Sequence, residues 1–137
     1  MSWKFSGVGH AVLSLSLPGA TVDVHTTYIG DGLGSLVQCA VDLSKGSSSA
    51  IAFLPVEPGG TCIFFGGAKE EAYLQIVRFA DMHSPDRRWS GGRLIWAGMV
   101  GVRQFINQVS DTVEEMLADH GGATRAASWA WPNSRWI

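Results

Sequence analysis

The chain has 137 residues, 46% hydrophobic and 16% charged, with a formal net charge of −2. That length suits one domain, the apolar content suits a packed core, and the sparse charge leaves neutral surface for contact with another chain. The charge balance excludes electrostatic attraction to nucleic acid, the lack of a basic face argues against a membrane surface, and no run approaches the roughly 18 apolar residues of a membrane span.

The first patterned stretch is AVLSLSL, where a serine stands at every second position. A secretory apolar segment is continuous, so this reads as a strand. PGA follows, then TVDVH alternates in the same way. With Pro18-Gly19 at the centre of a turn, Leu13 faces Val24 and Leu15 faces Val22. On the other side Ser14 meets Asp23, Val12 meets His25 and His10 meets Thr27. One side is mainly apolar and the other mainly polar, as a half-buried hairpin requires.

DGLGSLVQCAVDLSKG comes next. Leu33, Leu36, Val37, Ala40 and Val41 recur at helical spacing. Asp31 is placed to cap the start, and Lys45 and Gly46 to close the end. The glycines run G-x-G-x-G, not G-x-G-x-x-G, and the phosphate-binding lysine is missing, so a helix start is expected and not a phosphate cradle. AIAFLPV is a strand, EPGG a turn, TCIFF the returning strand, and EAYLQIVRFA a longer strand after GGAKE. DMHSPDRRWSGG is a long loop and RLIWAGM the last strand. Val102, Phe105, Ile106, Val109, Val113, Met116 and Leu117 then mark an amphipathic helix ending at His120-Gly121. The expectation is a two-layer α+β domain over residues 1–121, order ββαββββα, with a mostly antiparallel sheet and two helices.

Tyr28, Asp31, Leu33, Gly34 and Leu36, followed by Glu57, Pro58 and Gly59, resemble a group of small actinobacterial α+β proteins of unknown function. The likeness covers most of the chain up to about Gly121 and consists of a cap, a stripe and a turn. It implies the bacterial α+β fold but no catalytic residue. Gly32 stands where that group has alanine, and the group's charge-rich strands are missing.

Cys39 and Cys62 lie among apolar residues outside any CxxC pair. Two buried free thiols are expected, which fits a cytoplasmic location. His10 and His25 are diagonal neighbours on the hairpin, about 7–8 Å apart, and are the weak candidates for a metal. The competing reading is a solvated strand face, and no HExxH or CxxC supports a metal. No G-x-S-x-G elbow marks a nucleophile. No catalytic residue and no cofactor is assigned.

Two segments stand out as partner-binding candidates. Arg87, Arg88 and Trp89 combine planar cations with an aromatic, the residue types that dominate binding hot spots. The competing reading folds Trp89 onto the core and pairs the arginines with Asp81 and Asp86. Residues 122–137 carry Trp129, Trp131 and Trp136, too much apolar area for a free tail. They are expected to dock on the domain or on a partner, with Trp131 buried and Trp129 and Trp136 in the contact. The expected function is non-enzymatic binding of another protein, with toxin neutralisation in the manner of an immunity protein as one version and a homodimer as another. The alternative is a small-molecule binder or enzyme with a pocket between sheet and helices, lined by Phe64, Tyr73 and Trp96.

Overall fold

The computed structural model describes residues 1–7, 9–27 and 31–120. Its elements are β1 (Ser2–Phe5), β2 (His10–Leu17), β3 (Ala20–Thr27), α1 (Gly32–Ser44), β4 (Ala50–Val56), β5 (Gly59–Gly66), β6 (Glu71–Phe79), β7 (Arg93–Gly101) and α2 (Val102–His120). The fold is α+β, and every strand pair is antiparallel. No helix among the described residues is long and apolar enough to cross a membrane.

The first hairpin has the register its alternation predicts: Leu13 pairs with Val24, Leu15 with Val22, Ser14 with Asp23 and His10 with Thr27. Gly19 takes φ +75°, the left-handed conformation a Pro-Gly type II turn requires. β1 is an addition, four residues that pair Trp3 with Leu13 along the outer edge of β2. It is too short to show a period of its own.

The strands expected in one sheet form two, β1-β2-β3 and β4-β5-β6-β7. Pro55 supplies a reason for the break. It has no N–H to give to a ladder, which confines β4 to a sheet edge. That edge is tied by side chains instead. Thr26 Oγ1 donates to Pro55 O at 2.8 Å, and Phe53 N donates to Ser35 Oγ of α1 at 2.8 Å.

α1 starts and ends as its sequence indicates. Gly34 N donates to Asp31 Oδ1 at 2.9 Å. At the other end Ser47 N donates to Asp42 O and Gly46 N to Leu43 O, a Schellman closure with Gly46 at φ +92°. A Cβ on Gly32 would stand 2.8 Å from Thr26 Oγ1, so the first turn of α1 packs where alanine would crowd.

The core lies between the helices and one face of each sheet. Leu13, Leu15 and Val24 meet Leu36, Val37 and Ala40 of α1 and Phe105, Ile106 and Val109 of α2, over Leu54, Ile63, Phe65, Leu74 and Ile76. The Phe65 and Phe105 rings lie 4.6 Å apart. The stripe expected on α1 is buried, and that on α2 is buried from Val102 to Val113, with Met116 and Leu117 half-buried beside it.

Candidate functional site: the outer sheet face

The pairing registers of β4 to β7 sort side chains between two faces. Ala52, Leu54, Ile63, Phe65, Leu74, Ile76 and Trp96 point toward the core. The opposite face carries Ile51, Phe53, Cys62, Phe64, Tyr73, Val77, Leu94 and Met99, none of which joins the core cluster. Its rows are Tyr73 with Met99, then Ile51–Phe64–Gln75–Ala97, then Phe53–Cys62–Val77–Leu94. Glu71 lies on the same face at the start of β6, and Gln75 is the polar residue at its centre.

No described element packs over the middle of this face, and four of its apolar side chains are open to solvent while Phe53, Phe64 and Val77 are half-buried. Leu94 is 55% exposed, Met99 51%, Ile51 45% and Tyr73 44%. Four strands spaced about 4.8 Å apart and running about 25 Å give a patch of roughly 500 Å². That is near the upper end of what a monomer ordinarily shows, and patches of this size often mark contact sites. Gly60 lies beneath the Phe53 ring, where a Cβ would come within 2.5 Å of Cε1. Cys62 is wholly buried within this layer, and burial pushes its thiol up to about 11. Cys39, in the core, is raised to about 12 by burial and then by Asp42. Both cysteines are free.

The 81–92 loop borders the face beyond Phe79. A Cβ on Gly92 would stand 2.7 Å from the Phe79 ring and 2.8 Å from Val77 Cγ1. Trp89 sets its edge against Phe79 at 5.6 Å yet stays 55% exposed. It therefore leans on the sheet without joining the core. Its φ of +66° is strained for a tryptophan. The turn before it is closely bonded. Asp81 Oδ1 accepts from His83 N and Ser84 N at 2.9 and 3.0 Å, and its Oδ2 accepts from Ser84 Oγ at 2.9 Å. The Ser84 bonds, then the His83 bond, hold the Asp81 carboxyl below the usual range, with Arg87 adding at longer distance. Met82 N donates to Pro58 O at 2.7 Å, and His83 Nε2 pairs with Glu57 Oε2 at 2.9 Å. Neither Arg87 nor Arg88 has a carboxylate within salt-bridge distance among the described residues, so the expected pairing with Asp81 and Asp86 does not form.

Of the residues singled out in the sequence, Arg87, Arg88 and Trp89 sit together at one end of this face. Trp129 and Trp136, with the rest of the 122–137 segment, lie outside the described residues. His10 and His25 are exposed on the polar side of the first hairpin, and no group of three metal-ligating side chains occurs among the described residues. Phe64, Tyr73 and Trp96 do not line one pocket: strand parity sends Trp96 to the core side and the other two to the outer face. A cavity of about 90 Å³ lies elsewhere, between the end of β2 and α2, bordered by Leu15, Leu74, Phe105 and Gln108. That is small beside the roughly 300–1,000 Å³ of ordinary ligand pockets.

The outer face was missed in the sequence, although a signal was there. AIAFLPV, TCIFF and RLIWAGM are nearly continuous apolar runs, whereas a strand with one wet face alternates. No family model, curated protein or solved structure matches the chain.

Proposed function

We propose that the protein is a non-enzymatic binding protein that holds another protein chain against the outer face of β4–β7. The observation that carries this reading is the group of exposed Leu94, Met99, Tyr73 and Ile51 on the sheet face turned away from the helices. The loop adds Trp89 with Arg87 and Arg88 beside it, which form no salt bridge among the described residues, and these are the residue types from which contact hot spots are built. The hydrogen-bonded turn around Asp81 fixes the loop backbone that carries these groups, which lowers the ordering cost of association. Neutralising a toxin is one version of this role. It rests on the small size, the α+β architecture and the aromatic–arginine loop. The free, buried cysteines agree with a cytoplasmic site of action.

The test uses the full chain and its Leu94→Glu/Met99→Glu variant as paired baits. A protein retained by the first and lost from the second, then purified and shown to bind in isolation, supports the reading. If every partner found binds both baits equally well, the outer face is not the contact surface.

A further inference from the structure

We infer that the outer face binds a second copy of this chain, sheet against sheet, in a two-fold dimer whose axis runs across the strands. This rests on the reading that the face is a protein-contact surface and names its occupant. Three observations carry it.

The first is area. Each copy offers roughly 500 Å² of sheet, so two copies bury about 1,000 Å² before the loops are counted, the lower bound for a specific interface. Trp89 and the 81–92 loop extend it at one end. The second is shape and polarity. Two twisted sheets pack face to face about 10 Å apart when their inner sides are apolar, and this face presents Phe53, Phe64, Tyr73, Val77, Leu94 and Met99 around the one amide, Gln75. A symmetric partner brings no charge to the middle of it, so no ion is buried there unpaired.

The third is charge at the two ends. Arg87 and Arg88 stand at the Phe79 end, with Asp86 beside them and Asp81 bonded into its own turn. Glu71 lies on the face at the opposite end, with Glu70 and Lys69 in the adjoining turn. Among the described residues Arg87, Arg88, Glu70 and Glu71 have no ion-pair partner. A two-fold axis lying between the sheets and across the strands reverses strand direction. It therefore sets the arginine end of each copy on the glutamate end of the other. An axis along the strands would set arginine on arginine and glutamate on glutamate. Rim charges of this kind fix orientation more than strength.

Light scattering of the full chain over a concentration series reads the mass. The expected result is twice the 14.7 kDa of one chain, falling to one chain at high dilution. Met99→Glu places a charge among the apolar side chains of the contact and should weaken the dimer about a hundredfold or more. Circular dichroism checks that the variant is folded. Arg87→Glu/Arg88→Glu and Glu70→Arg/Glu71→Arg should each weaken self-association, and an equimolar mixture of the two should restore a dimer containing one of each. A monomer at every concentration overturns the inference while leaving the bait experiment above free to succeed with a different protein. If that monomer dimerises when Trp129, Trp131 and Trp136 are replaced by serine, the 121–137 segment is the occupant instead. A dimer unaffected by Met99→Glu, or one for which the mixed charge variants show no preference for each other, also overturns it.

Discussion

Replacing Thr26 by valine removes one hydroxyl and keeps the shape of the side chain. Thr26 is wholly buried, and its Oγ1 donates to Pro55 O at 2.8 Å across the junction between the two sheets. A buried carbonyl left without its donor costs about 1–3 kcal/mol. Thr27 Oγ1 lies 3.4 Å from the same oxygen and can take up part of the loss, which brings the expected change to about 1–2 kcal/mol. With an unfolding entropy of about 2.1 cal/mol/K per residue, this lowers Tm by about 3–7 °C. The assay is calorimetric or circular-dichroism melting of Thr26→Val beside Thr112→Val. Thr112 is also buried, but its hydroxyl donates to Gln108 O inside α2, where that carbonyl already serves the helix. Its loss should therefore stay within about 0.5 kcal/mol. Replacing Thr26 and Thr27 together should lower Tm further than Thr26→Val alone. An unchanged Tm for Thr26→Val, or an equal drop for both single variants, would refute the idea that this bond joins the sheets.

Leu36→Ala should destabilise the fold by about 2–5 kcal/mol in denaturant titration, because Leu36 is fully buried in the centre of the core. Both thiols should resist alkylation at pH 8 until the chain unfolds, since burial raises Cys39 to about 12 and Cys62 to about 11. A folded-state value above the unfolded one of 9.0 means that stability is complete below pH 9 and is lost as pH rises toward 11 and 12, so Tm should fall across that alkaline range. Asp81 is shifted the other way. Its contribution is present above the ordinary carboxylate range and lost below it, so the His83 and Ser84 amide resonances should move on acidification in the native chain and be insensitive to that step in Asp81→Asn.

Local chemistry determined much of this protein directly. A period-two alternation around Pro18-Gly19 permits one register with an apolar face, and that register is the one formed. Asp31, Gly46 and the Leu33–Val41 stripe define a helix from its own residues, because caps and stripes act within a few turns. The loop with Arg87, Arg88 and Trp89 was legible as a contact candidate from residue type alone. What only the tertiary structure decided depends on which strand lies beside which. The division into two sheets follows from Pro55 meeting Thr26, residues 29 positions apart. The assignment of Phe64 and Tyr73 to one face and Trp96 to the other follows from pairing parity across β5, β6 and β7, with an irregularity between Ile76 and Val77. An apolar run reads the same whether its second face is covered by a helix or left open. The choice is made by where α1 and α2 pack, and both pack on the same side.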